Sequence, residues 1–184
     1  MRHPRVLDSQ NTILLIVDMQ ESFRKHIVDF ADLTKNISIL VEASKILQLP
    51  VFVTEQYPHG LGKTVTEISA CLSQQMHFEK NCFSCCGTEP FVFALHETGR
   101  KQVMVCGIEA HVCISQTVHD LLERGYQPHI ISDAIGSRFP RNKEVGIAKM
   151  VASGAVLSSV EMALFEMLVE SGTEKFKAVQ RLVK

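Results

Sequence analysis

Three side chains of complementary chemistry lie at or shortly after the ends of predicted strands: Asp18, Lys80 and Cys113. A cysteine attacks a carbon atom as its thiolate, and a neighbouring carboxylate can accept the proton that the thiol must lose. A lysine ammonium beside them would hold both anions in place. Each residue alone also has an ordinary structural explanation, as a small core side chain, a turn residue or a solvated charge. Together they predict a cysteine nucleophile with an adjacent base.

The segment around Cys113 predicts a strand that turns into a helix. Val103–Cys106 is an apolar run of the kind that forms a fully buried strand. Gly107 then ends the strand and Gly125 ends the helix. Between them, apolar residues recur at the spacing of one helix face: Ile114, Val118, Leu121 and Leu122. Cys113 is therefore expected in the first helical turn, where unpaired N–H groups favour a negative charge, and we predict that its thiol ionises more readily than a free cysteine.

The rest of the chain alternates between short apolar runs and amphipathic segments. The runs predict six strands, at Ile13–Val17, Val51–Thr54, Met76–Lys80, Val103–Cys106, His129–Ser132 and Ala155–Leu157. Capping residues or prolines indicate where the other helices start: at Asp32 or Thr34, at Thr88, at Pro140 and at Thr173. Residues Ser158–Glu161 have the spacing of a capping box, which predicts a further helix that runs to Gly172. We therefore expect one domain over residues 1–184, with an α/β fold of three layers, α/β/α, around an open parallel sheet. Ligands in such folds bind beyond the carboxyl ends of the strands, where the three reactive side chains are predicted.

The composition is that of an ordinary globular protein. Hydrophobic residues make up 46% and charged residues 21% of the 184 positions, and the formal net charge is −1. This balance gives no basic surface for a polyanion, so nucleic acid is disfavoured as a partner. No apolar run approaches the ~20 residues that span a bilayer, so no membrane partner is expected. Residues 1–10 lack the apolar segment of a secretory signal. The six cysteines are therefore expected to be reduced thiols rather than disulfides. We expect an intracellular protein, in the first place cytoplasmic, with a mitochondrial location as the alternative.

Several motifs resemble the isochorismatase-like cysteine hydrolase family, which includes nicotinamidases, carbamoylsarcosine amidases and isochorismatases. The motifs are ILLIVDMQ (13–20), EKNCFS (79–84) and CGIEAHVCISQT (106–117). The sequence is most similar to the isochorismatase domain-containing subgroup, through TEQYPHGLGKT (54–64), GIEAHVC (107–113) and DAIGSR (133–138). The likeness covers roughly residues 10 to 170, and the combination of motifs is far more specific than any one of them.

The resemblance implies a sheet order of 3-2-1-4-5-6 and a catalytic triad of Asp18, Lys80 and Cys113. It also implies a cis peptide bond between Ile108 and Glu109, which would direct the backbone N–H groups of Glu109 and Cys113 at a developing oxyanion. The implied reaction is attack by the Cys113 thiolate on a carboxamide or similar carbon, release of ammonia or an amine, and hydrolysis of the thioester by water that Asp18 activates. The implied partners are a small-molecule substrate and further copies of the chain, with the amphipathic C-terminal helices as a candidate interface.

The sequence departs from two better-known branches of the family. Nicotinamidases carry a metal-binding Asp-x-His after the second strand, where this chain reads Thr54-Glu55-Gln56-Tyr57. We therefore expect no catalytic metal and no cofactor, and nicotinamide is a poor candidate substrate. Isochorismatases proper cleave a vinyl ether without a cysteine nucleophile, so the presence of Cys113 argues against that chemistry.

Six side chains near the predicted strand ends are candidates for binding substrate: Gln20, Phe23, Gln56, Tyr57, Phe83 and His111. The aromatic ones, together with Phe139, could form an apolar wall, although core packing explains most such residues equally well. His111 could shuttle a proton, line the pocket or contact another subunit.

Two other functions stay open. A protozoan branch of the subgroup carries a mitochondrial endoribonuclease label, but RNA cleavage without a metal needs cations around the phosphate, and no basic stripe accompanies the histidines. The chain could also be a binding or scaffold protein with a vestigial pocket. Two further motifs are weak evidence for function. GLGKT (60–64) resembles the end of a phosphate-binding loop but lacks the first glycine of that loop. The cysteines within 82–86 could supply some ligands of a zinc ion, but the sequence has no second cysteine or histidine pair to complete the site.

Overall fold

The computed structural model describes residues 2–72 and 75–184. Within them, six strands form one parallel sheet: β1 (Thr12–Val17), β2 (Val51–Gln56), β3 (Gln75–Lys80), β4 (Gln102–Gly107), β5 (Gln127–Ile135) and β6 (Val156–Ser158). Their order across the sheet is β3-β2-β1-β4-β5-β6, and neighbouring strands are parallel throughout. This confirms the predicted fold class and strand order.

Helices cover both faces of the sheet. Those of the described chain are α1 (Phe30–Leu47), α2 (Pro58–Leu61), α3 (Thr66–Ser69), α4 (Glu89–Glu97), α5 (Ser115–Glu123), α6 (Pro140–Ala152), α7 (Val160–Leu168) and α8 (Glu174–Val183). Helices α1 and α7, with α8 packed against both, share one hydrophobic cluster with the sheet. Helices α4, α5 and α6 share a second cluster with its other face. The molecule is therefore a three-layer sandwich, as the alternation of runs predicts.

The two central strands are apolar on both sides and buried at every position. On β1, Leu14 and Ile16 belong to the cluster under α1, while Leu15 and Val17 belong to the opposite cluster. This alternation follows from the period of two along a strand. Burial of each such side chain contributes about 1.5–3 kcal/mol to stability, so the centre of the sheet is a firm support for residues at its carboxyl edge.

The carboxyl ends of β1 and β4 approach each other closely. Gly107, at the end of β4, has a φ of +112°, and a Cβ atom there would lie 2.1 Å from the carbonyl oxygen of Val17. No other residue fits this position without moving one of the two strands. Gly107 thus allows the chain to leave β4 and enter the segment that carries Cys113.

Two helix starts lie elsewhere than predicted. Helix α1 begins at Phe30, before Asp32 or Thr34, and Phe30 itself packs into the core. Helix α7 begins after Ser159 rather than Ser158, because the Ser159 hydroxyl accepts the N–H of the first turn.

Strand β5 is longer than predicted and α7 is shorter. The strand continues past Ser132, and Asp133 within it accepts a hydrogen bond from the N–H of Val160 at 2.9 Å. Asp133 therefore supports the start of α7. That helix ends at Leu168, before Gly172.

The C-terminal helices pack against the body of the domain. Helix α8 begins after Thr173, as predicted, and the Thr173 hydroxyl accepts the N–H of Phe176 at 3.0 Å. Val179 is fully buried in the cluster under α1. On α7 and just after it, Met162 and Val169 are left exposed. No helix in the described residues has the length and apolar character needed to cross a bilayer.

Candidate active site

Asp18 follows the last residue of β1 and is buried at the carboxyl edge of the sheet. Its backbone has a φ of 52°, a left-handed conformation that aspartate tolerates better than most residues. The backbone N–H of Asp18 donates to the carbonyl of Thr54 at 3.1 Å. The Thr54 hydroxyl donates in turn to Asp18 Oδ1 at 2.7 Å. The neighbouring strand β2 therefore fixes both the backbone and the carboxylate of Asp18.

Lys80 ends strand β3 and is buried, although β3 lies at the edge of the sheet. Its Nζ donates to Asp18 Oδ2 and to Gln56 Oε1, each at 2.7 Å. The carbonyls of Phe83 and Cys82 lie at 3.0 and 3.4 Å from the same nitrogen. Burial opposes the charged form, but attraction to Asp18 and to nearby thiol sulfurs outweighs it and raises the pKa of Lys80.

Cys113 lies in a π-helical turn, Ala110–Ile114, directly before α5. Its side chain is 7% exposed, and it borders the same cavity as Asp18. Burial and the negative charge of Asp18 raise the pKa of the thiol above the ordinary value, and the attraction of Lys80 does not compensate. The prediction that this thiol ionises more readily than a free cysteine is therefore wrong. Burial beside Asp18 favours the neutral thiol instead.

Asp18, Lys80 and Cys113 meet at one edge of the sheet, and a cavity of about 180 Å³ opens onto two of them. The cavity is bounded by mainly apolar groups with a few polar ones: Asp18, Phe23, Gln56, Leu61, Phe83, Ile108, Glu109, Val112, Cys113 and Arg138. Its volume lies below the ~300–1,000 Å³ usual for drug-sized ligands. A small molecule is the kind of ligand that this space fits.

Three of the six candidate binding side chains line this cavity, namely Phe23, Gln56 and Phe83. Gln20 does not: it is fully buried, and its amide bonds the backbone of Gln56 and the carbonyl of Gly62. Gln20 thus fastens the segment after β2 to the end of β1.

Tyr57 and His111 also lie outside the lining. Tyr57 is 55% exposed and follows β2 in a left-handed conformation. Phe139 is likewise exposed and does not border the cavity. His111 is two residues before Cys113, and its Nδ1 lies 3.1 Å from the Ser137 hydroxyl.

Glu109 follows the Ile108–Glu109 peptide bond, which is cis, as the resemblance implies. Its carboxylate is buried and forms ion pairs with Arg138 Nε at 2.5 Å and His111 Nε2 at 3.4 Å. Neither carboxylate oxygen makes a well-aligned hydrogen bond within the described residues. Arg138 is thereby held at the mouth of the cavity.

Sequence reasoning missed three contributors to the site. Thr54 orients the Asp18 carboxylate, and Arg138 borders the cavity. The fully buried Cys85 has its Sγ 3.8 Å from the Thr54 hydroxyl, and burial raises the pKa of this second thiol to about 11. Each of them lies in a segment that the sequence analysis quotes: Thr54 opens TEQYPHGLGKT, Arg138 closes DAIGSR, and Cys85 is one of the cysteines within 82–86.

Glu55 is the next-to-last residue of β2 and the carboxylate in the Thr54–Tyr57 segment that the sequence analysis compares with a metal-binding Asp-x-His. Its Oε1 accepts hydrogen bonds from the N–H and the hydroxyl of Thr64, at 2.6 and 2.8 Å. Its Oε2 lies 3.1 Å from His77 Nε2 and 3.4 Å from Lys63 Nζ. Burial opposes ionisation, but these contacts lower the pKa of Glu55. Across residues 2–72 and 75–184, no three histidine, cysteine or acidic side chains are grouped as metal ligands.

Comparisons with known proteins point to one family. A family model described as the isochorismatase domain matches residues 12–162. Isochorismatase domain-containing protein 2 of Danio rerio is 38% identical over 178 residues, which cover 96% of this chain and 89% of that protein. The secreted isochorismatase effector Isc1 of Phytophthora sojae is 36% identical, with 95% and 85% covered. Among solved structures, the MAR1 ribonuclease of Caenorhabditis elegans is 36% identical, with 96% and 91% covered and a TM-score of 0.92.

Proposed function

This chain belongs to the isochorismatase domain family, and we propose that it is a metal-independent cysteine hydrolase that cleaves the C–N bond of a small amide-like molecule. One observation carries the proposal. Cys113 and Asp18 border the same small cavity, and Asp18 is ion-paired with Lys80 at 2.7 Å. We infer that Asp18 is the base for the Cys113 nucleophile.

In the first half of the reaction, the thiol proton moves to Asp18 as the sulfur attacks the carboxamide carbon. The S–C bond forms and the carbonyl oxygen becomes an oxyanion, for which the backbone N–H groups of Glu109 and Cys113 are the proposed donors. Protonated Asp18 then gives the proton to the leaving nitrogen, the C–N bond breaks, and ammonia or an amine departs. Lys80 remains an ammonium and balances the charge of Asp18.

In the second half, water replaces the departed amine. Asp18 accepts a proton from this water as the oxygen attacks the thioester carbon, and the C–S bond then breaks. The acyl group leaves as a carboxylic acid, and the proton returns from Asp18 to the sulfur of Cys113. The cycle needs no group beyond this side-chain set and water.

The shape of the cavity supports a small and partly apolar substrate. Phe23 and Phe83 offer apolar surface, and Gln56 offers an amide close to Lys80. Leu61, from the segment after β2, closes another side. We propose that these side chains bound the acyl part of the substrate.

The test combines covalent labelling with turnover. Wild-type protein is treated with iodoacetamide, and the labelled residue is identified by mass spectrometry. A panel of small carboxamides is then screened for release of ammonia by wild type, by Cys113→Ala and by Cys71→Ala, which removes a thiol far from the cavity. We expect labelling at Cys113 and turnover that Cys113→Ala abolishes and Cys71→Ala preserves.

Full activity in Cys113→Ala would overturn the proposal. An inert Cys113, with no labelling and no turnover of any amide in a metabolite extract, would favour a binding or scaffold protein instead. Circular dichroism of both variants verifies that the fold is intact.

An endoribonuclease is the second candidate, because the 36% identical structure from Caenorhabditis elegans carries that description. Cleavage of end-labelled RNA by highly purified wild type, abolished in Cys113→Ala and in Asp18→Asn, would support it. Cleavage that persists in both variants would identify a contaminating nuclease.

We also propose that the chain forms a homo-oligomer. The exposed apolar side chains of the β6–α7 region, among them Leu157, Met162 and Val169, give a surface on which copies could associate. Light scattering coupled to size exclusion measures the mass, and Met162→Lys should lower it if this surface is the interface. A monomeric wild type would contradict the proposal.

A further inference from the structure

Lys80 has more acceptors around it than an ordinary lysine. An ammonium has three N–H donors and no acceptor, whereas a neutral amine has two donors and a lone pair that must be satisfied. Asp18 Oδ2 and Gln56 Oε1 each lie 2.7 Å from Nζ, and the carbonyl of Phe83 lies at 3.0 Å. Three short acceptors therefore match the three donors of the charged form, and only of the charged form.

Gln56 is the acceptor whose orientation the structure fixes most completely. Its Nε2 donates to the carbonyl of Asn81 at 2.8 Å, so Oε1 must point at Lys80. Its backbone is also held: the amide of Gln20 accepts the Gln56 N–H at 2.8 Å and donates to the Gln56 carbonyl at 2.9 Å. If the Gln56 amide were rotated by half a turn, its NH₂ group would face the ammonium of Lys80, and two donors would oppose each other. The bonds of Gln56 to Asn81 and Gln20 oppose that rotation.

We propose that Gln56 is a positioning residue that keeps Lys80 permanently protonated, so that Asp18 alone carries protons during the reaction. The catalytic meaning of this inference rests on the proposed function. The physical reason is that Gln56 Oε1 is an acceptor held in a fixed orientation, so it stabilises the form of Lys80 that has a proton on Nζ to donate. Gln56 then acts through Lys80, and its contribution to substrate binding is secondary.

The titratable groups that face Lys80 are few within the described residues. Asp18 approaches from the end of β1, Cys85 from the short 3₁₀ turn Cys85–Gly87 after β3, and Cys113 from the turn before α5. Negative charge on any of the three favours the charged lysine, and burial opposes it. Because burial raises the pKa of both thiols, the Asp18 carboxylate and the Gln56 oxygen are the two short side-chain acceptors of Lys80 at neutral pH.

The test follows the ionisation of Lys80 directly and needs no substrate. Protein labelled with 13C at lysine Cε is titrated from about pH 6 to 12 by NMR, and the Lys80 signal is identified by its loss in Lys80→Arg. Gln56→Met removes the acceptor at similar volume, and Gln56→Glu keeps an acceptor and adds a negative charge. Gln75→Met is the matched control, because Gln75 is exposed at the other end of β3.

We expect the midpoint of the Lys80 titration to fall by about one pH unit in Gln56→Met. In Gln56→Glu the midpoint should stay at or above its wild-type value. Gln75→Met should match wild type. A purely structural role of Gln56 would move both variants in the same direction. If Gln56→Met does not fold, Gln56→Asn, whose shorter side chain withdraws the oxygen from Lys80, should show the same fall.

The inference is overturned if Lys80 titrates alike in wild type and in Gln56→Met, or if Met and Glu lower the transition equally. These results are independent of turnover. An inert Cys113 would defeat the proposed function and leave the Lys80 titration as it is, whereas an unchanged titration would defeat the inference and leave cysteine catalysis standing.

Discussion

The central strands and the edge strand of the sheet hold their candidate active-site residues in different ways. Strands β1 and β4 are buried along their whole length, and packing fixes where Asp18 and the turn with Cys113 begin. Strand β3 is mostly exposed, with Met76 at 45%, yet its last residue, Lys80, is buried. Hydrogen bonds to Asp18 and Gln56 hold Lys80, because its own strand cannot. At the centre apolar packing fixes the geometry, and at the edge polar contacts do.

The largest effect is expected for Asp18→Asn at the centre. In wild type the thiol proton can move to Asp18, so alkylation of Cys113 by iodoacetamide should vary little between about pH 6 and 9. In the variant only free thiolate reacts. Burial still raises the pKa of the thiol, so the rate should be about 10²–10⁴-fold lower at pH 7 and rise about tenfold per pH unit.

Mass spectrometry of the labelled protein gives these rates, and Asp32→Asn, an exposed change on α1, is the control. Identical pH profiles for wild type and Asp18→Asn would show that Asp18 is not the base.

A somewhat smaller effect, on stability, is expected for Lys80→Met at the edge. The variant leaves the buried Asp18 carboxylate without its counter-ion, which should lower the free energy of unfolding by about 3–5 kcal/mol. Lys35→Met removes an exposed lysine of α1 and should cost about 0.5 kcal/mol or less. Urea denaturation measures both, and equal losses would contradict the view that polar contacts hold the edge.

Gly107→Ala tests the packing of the central pair. A Cβ atom would clash with the carbonyl of Val17 at 2.1 Å, at a φ of +112°, so we expect a loss of about 2–4 kcal/mol. Gly99→Ala is matched in having a positive φ, +64°, but nothing lies within 4 Å of the new atom. That variant should cost about 1 kcal/mol, from backbone conformation alone. Similar losses in the two variants would exclude the close approach as the cause.

The smallest effect is expected for Met76→Thr on the exposed part of β3, within about 0.5 kcal/mol of wild type. Met104→Thr, at a fully buried position of β4, should cost about 2–5 kcal/mol, since it leaves a void and buries a hydroxyl. Thermal denaturation by circular dichroism compares the pair. A costly Met76→Thr would mean that β3 packs more firmly than its exposure indicates.

The sequence predicted the strands well where burial is complete, because apolar runs such as those of β1 and β4 leave a clear pattern. The strand order and the cis peptide bond came from the likeness to a family, since no local pattern encodes which strands become neighbours. Placement of Asp18 and Lys80 followed from one rule, that parallel strands end at a common edge.

Other features could not be predicted from local patterns. The burial of Cys113 beside Asp18 depends on contacts between distant segments, and burial together with the charge of Asp18 reverses the expected ionisation of the thiol. The role of Gln20 was misjudged for the same reason, because a buried glutamine and a substrate-binding one look alike in a sequence. The extension of β5 through Asp133 depends on a bond to α7, 27 residues further along.

The segment from Tyr57 to Lys63 is fastened at both ends: Gln20 bonds the backbone of Gln56 just before it, and Glu55 accepts the N–H of Thr64 just after it. Between these anchors the chain contributes Leu61 to the cavity but touches none of the groups that exchange protons. Insertions or exchanges there would change the shape of the cavity while the Asp18–Lys80 ion pair stays in place. Such a stretch leaves room for sequence change that does not disturb the buried charges.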